Sequence, residues 1–172
     1  EISECLVGSE MCIRDRKSTL LAKLEQLLSA KREISLGVMP QDYHKKLELE
    51  LSPVEFLSQT GQKEELQKIQ SHLASLNFSY PEMQHLIRSL SGGQQGKLLL
   101  LDLVLRKPNF LLLDEPTRNF SPTSQPEIRK LFATYPGGLI TVSHDRRFLK
   151  EVCSTIYRLT DHGLEIVNLE DL

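Results

Sequence analysis

Apolar positions along the chain change period several times, and each change marks an element. Leu20, Leu21, Leu24, Leu27 and Leu28 recur at helical spacing, so residues 17–30 read as an amphipathic helix. Residues 34–39 form a short apolar run that reads as a strand, and Pro40 opens a loop. Pro53 suits the first turn of a short helix over 54–57. Leu66, Ile69, Leu73 and Leu76 predict a second periodic helix over 62–76, broken at Tyr80-Pro81, with a further helical piece over 83–87. A strongly apolar helix runs from about Gln94 to Lys107. Beyond the Pro108-Asn109 turn, residues 110–113 and 139–142 are continuous apolar runs, separated by a helix over 125–134 and a Tyr135-Pro136-Gly137-Gly138 turn. Residues 147–152 read as a helix, and 155–159 and 164–167 flank a hairpin turn at Asp161-His162-Gly163. Buried strands alternating with helices predict an α/β fold, a parallel sheet covered on both faces. In such sheets chemistry sits beyond the carboxyl ends of the strands.

Residues 1–16 stand apart from this pattern. They show neither helical period nor strand alternation. Residues 6–16, Leu-Val-Gly-Ser-Glu-Met-Cys-Ile-Arg-Asp-Arg, resemble the conceptual translation of a sequencing-library adapter. They are therefore set aside as a non-native lead-in, and the domain is taken as 17–172, with a helical subdomain at about 52–107.

Composition narrows the class. The 172 residues suit one domain able to bury about 70% of its unfolded surface. A hydrophobic share of 40% excludes low-complexity disorder, and a net charge of −2 excludes a binder of nucleic acid that relies on bulk positive charge. Three cysteines without paired spacing read as reduced thiols of an intracellular protein. The longest apolar run, residues 98–105, is interrupted by Asp102 and is far short of the ~18 residues a membrane span needs.

Two polar clusters fall at strand ends. Asp114-Glu115 follows four apolar residues, and a carboxylate pair there can hold Mg²⁺ and polarise a water. Ser143-His144-Asp145 closes the other run. Upstream, Ser91-Gly92-Gly93-Gln94 opens a helix whose backbone N–H groups and dipole suit an anion. Lys17-Ser18-Thr19 is the tail of a phosphate-binding loop, whose glycines belong at positions 11 and 16. The chain has Met11 and Arg16 there.

In their order, Lys17-Ser18-Thr19, Gln41 after an apolar strand, Leu90-Ser91-Gly92-Gly93-Gln94, Leu113-Asp114-Glu115-Pro116-Thr117 and Ser143-His144-Asp145 resemble an ATP-binding-cassette ATPase, a P-loop NTPase fold. Val142-Ser143-His144-Asp145-Arg146-Arg147-Phe148-Leu149 is similar to the ABC-F branch, tandem-cassette ATPases of translation. Residues 114–122 resemble its ribosome-protecting, antibiotic-resistance subgroup. The resemblance implies ATP and Mg²⁺ as ligands, with Lys17, Ser18 and Thr19 at the phosphates. Ser18, Gln41 and Asp114 would hold the metal. Glu115 would be the catalytic carboxylate, His144 the γ-phosphate switch and Gln41 its sensor. Ser91, Gly92, Gly93 and Gln94 would close over ATP held by a second cassette, and residues 119–121 would lie between cassettes. It further implies a cytoplasmic, ribosome-associated protein without a membrane span.

The alternative is the ATPase subunit of a membrane transporter, whose segment after Gln41 docks an apolar coupling helix. Here Lys63-Glu64-Glu65-Leu66-Gln67-Lys68 is strongly charged, which favours translation. A further expectation concerns the phosphate loop. The strand that enters it, the loop and an adenine-stacking aromatic belong before Lys17, where the chain departs from the pattern. Losing three backbone donors to charged oxygens, at ~1.5–3 kcal/mol each, costs ~4–9 kcal/mol, or roughly three to six decades of ATP affinity. A chain inert as written stands as the extreme of that expectation.

Overall fold

The computed structural model describes residues 3–7, 13–42, 46–122, 124–160 and 162–168, with the side chains of 3–7, 13–16 and 18 left aside. Two compact units form, one from residues 1–41 and 108–172, the other from 42–107.

The first unit is built on a six-stranded sheet. Its strands are β1 (Ser3–Val7), β2 (Leu36–Met39), β3 (Phe110–Asp114), β4 (Gly138–Val142), β5 (Thr155–Thr160) and β6 (Gly163–Val167), in the order β2-β3-β4-β1-β5-β6. All pairings are parallel except the β5–β6 hairpin, whose turn carries Gly163 at φ +125°. Three helices of this unit connect the strands: α1 (Ile13–Ser29), α6 (Gln125–Ala133) and α7 (Arg146–Val152). The chain runs from β1 through α1 toward one edge and from β3 through α6 and α7 toward the other. Right-handed crossovers running in opposite directions put their helices on opposite faces, as the alternating pattern predicts. On the α1 face, Leu21, Leu112 and Val142 are buried together, flanked by Leu20, Leu24, Leu36, Val38, Ile140 and Tyr157. α6 and α7 meet through Phe132 and Phe148, edge to face with ring centroids 6.0 Å apart.

Residues 3–7 correct the reading that sets 1–16 outside the fold. β1 pairs with β4 from Ser3↔Leu139 to Leu6↔Val142, and with β5 from Glu4↔Thr155 to Val7↔Arg158. It fills an interior position. Interior parallel strands are covered on both faces and carry no polar alternation, so a five-residue example leaves no period to read. α1 likewise begins at Ile13, a full turn before the predicted start at Lys17. The expected cysteine state is corrected too. Cys153, buried just after α7, is disulfide-bonded. Bridges between distant segments leave no trace in local spacing. The side chains of the other cysteines, Cys5 and Cys12, lie outside the described residues.

The amino end of the sheet is fixed by one side chain. Asn109 Oδ1 accepts from the Ser35 N–H at 2.8 Å, and its Nδ2 donates to the Glu33 carbonyl at 2.8 Å. Its own carbonyl accepts from the Gly138 N–H at 3.0 Å, which ties the starts of β2, β3 and β4 together. Glycine is required beside it. A Cβ on Gly137 would run into the Asn109 carbonyl oxygen, and one on Gly138 into the Phe110 ring.

The second unit is helical: α2 (Pro53–Leu57), α3 (Lys63–Ser75), α4 (Tyr80–Gln84), a 3₁₀ turn at Ile87–Ser89 and α5 (Gly92–Arg106). Tyr80-Pro81 is not a break but a start. Pro81 occupies the first turn, where its missing N–H costs nothing, and Glu82 accepts from the Ser79 N–H and hydroxyl at 2.7 and 2.6 Å. Between α2 and α3 the chain wraps around Glu65. Its carboxylate accepts from the N–H groups of Gln59, Thr60 and Gly61 and from the hydroxyls of Ser58 and Thr60. These donors, led by the Thr60 hydroxyl, pull its pKa from 4.5 down to about 2.

Two outcomes are expected. The depressed Glu65 pKa stabilises the fold fully above about pH 4.5, and that contribution is lost as pH falls toward 2. Denaturant melts across this window should lose stability in the native chain, and Glu65→Gln should be weaker at neutral pH and flatter through the window. Gly137→Ala should lower stability by about 1–3 kcal/mol through overpacking, read as a fall in the denaturation midpoint at unchanged slope.

Candidate functional site

The chain leaves β1 toward one edge and leaves β4, its neighbour, toward the other. Such a divergence opens a crevice at the carboxyl ends of the strands. A pocket of about 290 Å³ lies in this unit, lined by Lys17, Gln41, Asp114, Glu115, Arg118, Val142 and His144. Five of these are residues the sequence singles out, drawn from four separate segments. Val142 is apolar floor. Arg118 lies in the 114–122 stretch, but the sequence reading assigns it no role at the site.

The register of β3 against β4 sets the geometry. Asp114 pairs with Val142, so the next residues, Glu115 and Ser143-His144, emerge together. The Glu115 N–H donates to the Val142 carbonyl at 2.8 Å, one bond beyond the last register pair. Glu115 adopts φ +50°, a left-handed conformation that a non-glycine residue holds only when its surroundings fix it. The Glu115 carboxylate accepts from the His144 N–H at 3.3 Å and lies 3.4 Å from His144 Nε2.

Lys17 completes a chain of three. Its Nζ lies 3.2 Å from His144 Nε2, and the lysine is only 4% exposed. One Nε2 cannot accept from the ammonium and donate to Glu115 at once. With the ring proton on Nδ1 it accepts from Lys17; with the proton on Nε2 it donates to Glu115. The two groups expected at a terminal phosphate thus satisfy each other. Asp114 is half-buried, and desolvation first, then the Glu115 charge, raises its pKa above the ordinary aspartate range. Lys17 and Arg118 pull the other way. Asp114 and Gln41 present oxygen donors of the hard type Mg²⁺ takes, alongside substrate phosphates rather than in a protein cage. Among the described residues no His, Cys, Asp and Glu cluster forms a cage by itself.

The position of Lys17 departs from expectation. In a helix that starts at Ile13, only the N–H groups before residue 16 lack intrahelical partners. The backbone N–H groups of Lys17, Ser18 and Thr19 belong to the interior of α1 and are spent there. Lys17 reaches the pocket by its side chain alone. Thr19 is exposed and does not line the pocket, and the Ser18 side chain lies outside the described residues.

Ser91, Gly92, Gly93 and Gln94 belong to the helical unit. Ser91 caps α5: its Oγ accepts from the Gln94 N–H at 3.3 Å, and Gln94 Oε1 accepts from the Ser91 N–H and hydroxyl at 3.0 and 3.1 Å. The hydroxyl read as an anion donor is engaged in this cap. Gln94 Nε2 donates to Glu82 at 2.6 Å, which holds α5 to α4. A Cβ on Gly92 would meet nothing, so packing within the chain does not explain this glycine.

Comparison with known proteins places this arrangement. The chain is 34% identical over 126 residues to YbiT of Escherichia coli O157:H7, named a probable ATP-binding protein, covering 73% of this chain and 24% of YbiT. It is 28% identical over 157 residues to ATP-binding cassette sub-family F member 3 of Pongo abelii, covering 89% of this chain and 22% of that protein. The chain thus spans about a quarter of the length of these relatives. Among solved structures, the dimeric ATP-binding cassette MJ0796 bound to ADP and Pi superposes with a TM-score of 0.77 at 17% identity, covering 98% of this chain and 85% of that one, a likeness of fold. The ABC transporter family model matches residues 13–118, more than half of the sequence. The chain belongs to the ABC transporter family, as one of its ATP-binding cassettes.

Proposed function

We propose that this chain is a hydrolytic cassette of the ABC-F type and serves, within a longer tandem-cassette protein, to drive a cycle on the ribosome. The observation that carries the hydrolytic reading is the Glu115–His144–Lys17 chain at the tips of β3 and β4. Glu115 is the base that accepts a proton from the attacking water. His144 and Lys17 exchange their mutual contact for the terminal phosphate. Asp114 and Gln41 would hold Mg²⁺, which when bound would supply positive charge beside the phosphates. Ser91, Gly92, Gly93 and Gln94 serve a second cassette, and the open ground above Gly92 supports that role.

The ABC-F assignment rests on the sub-family F relative, which matches 89% of the chain. The charged α3, with Lys63, Glu64, Glu65 and Lys68, supports it over a transporter subunit. Among the described residues no helix is long and apolar enough to cross a membrane. Protection of ribosomes from antibiotics follows from the likeness of residues 114–122 and belongs to the same proposal. ATP affinity is weak in this chain, because α1 takes up the Lys17–Thr19 backbone.

Glu115→Gln is expected to lower steady-state ATP turnover more than about a hundredfold while sparing ATP affinity. In the full-length protein the same change should trap it on ribosomes in the presence of ATP. Sedimentation through a sucrose cushion reads this directly. Equal pelleting of native and variant protein with and without ATP would overturn the ribosomal reading, and undiminished turnover would overturn the role of Glu115.

A further inference from the structure

Arg118 lines the pocket, and although it lies in the 114–122 stretch, no role was assigned to it. Its backbone is held in place. The Arg118 N–H donates to the Glu115 carbonyl at 3.0 Å, closing a four-residue turn with fully buried Pro116 at its second position. Thr117 is buried, and its carbonyl accepts from the Phe120 N–H at 3.3 Å and from Gln125 Nε2 at 3.4 Å. This turn returns the chain from Asp114-Glu115 so that the arginine faces the same space as the carboxylates.

The side chain is uncommitted. Arg88, Arg106 and Arg129 bond Glu50, Asp102 and Glu151 at 3.1, 2.7 and 2.8 Å. Among the described residues Arg118 bonds no carboxylate, although its charge is felt at Asp114. The pocket's charges give the reason for a second cation. Asp114 and Glu115 contribute two negative charges against the single positive charge of Lys17, which is itself drawn onto His144. A phosphate chain entering such a pocket would meet net repulsion. Arg118 brings the sum to zero and adds a planar fork of donors suited to phosphate oxygens. Its side chain is exposed, so it is free to reorient toward a bound anion.

We propose that Arg118 is a ligand of the terminal phosphate of a bound nucleoside triphosphate, and so the residue by which this pocket tells triphosphate from diphosphate. The assignment rests on the reading of the pocket as an ATP site.

The test titrates the full chain with MgATP and with MgADP at millimolar concentration and follows the thermal midpoint, from which both affinities are fitted. Native protein should prefer ATP. Arg118→Ala should weaken ATP binding about tenfold and leave ADP binding unchanged, with Arg118→Lys in between. Should Arg118→Ala not fold, Arg118→Gln carries the same expectation. A variant that keeps the native ATP-to-ADP ratio, or loses both nucleotides alike, overturns the assignment of Arg118 alone. Native chain that binds both nucleotides equally does the same. Native chain that responds to neither overturns this assignment, while the ATP reading is tested separately by the Glu115→Gln turnover.

Discussion

Everything chemical in this chain hangs on the parallel pairing of β3 with β4 and the one hydrogen bond that extends it, from the Glu115 N–H to the Val142 carbonyl. A parallel register is set by side-chain packing on both faces, here Leu111 to Leu113 against Leu139 to Val142, all buried but Ile140. A slip of one residue would turn every side chain to the opposite face. It would also carry Glu115 past His144 and dissolve the contact between them. The buried core thus fixes the distance between two polar side chains at its edge. The left-handed backbone of Glu115 marks the cost of leaving a strand so abruptly that the carboxylate faces back across the sheet.

The electrostatics follow from that placement. Two adjacent carboxylates at the end of a buried strand repel each other and lack water, and Asp114 shows both effects. Lys17 comes from α1, Arg118 from the turn after the strand, and their opposing pull comes from different directions. A site assembled from separate segments can lose one cation without losing its shape. The helical unit handles charge in another way. Ser52 with Glu55, Ser79 with Glu82 and Ser91 with Gln94 repeat one reciprocal cap. Only at α5 is the third residue neutral. A carboxylate there would add a negative charge at the start of α5.

Much of this was legible in the sequence for a physical reason. Strand tips were found because continuous apolar runs stop abruptly at charged residues, and Gln41, Asp114, Glu115, Lys17 and His144 then met in one pocket. The pattern of burial also gave the helices of both units to within a few residues. β1 was missed because five residues in the middle of a parallel sheet need no alternation. The early start of α1 was missed because Ile13, Arg14, Asp15 and Arg16 were set aside with their neighbours, although none of them breaks a helix. The place of Arg118 in the pocket was hidden for a different reason. A residue that reaches a pocket from a turn has no period, and arginines on turns are common. Only the fold shows which way the turn returns.

The two ends of the sheet impose demands of different origin. At the carboxyl end, Glu115 and His144 line the pocket and contact each other. At the amino end, Asn109 is held by its hydrogen bonds and Gly137 and Gly138 by space. A survey of which substitutions the chain tolerates would therefore draw two intolerant patches on opposite rims of one sheet. The amino-end patch would persist in a screen for abundance alone. The patch around the pocket would vanish from that screen and return only under selection for activity.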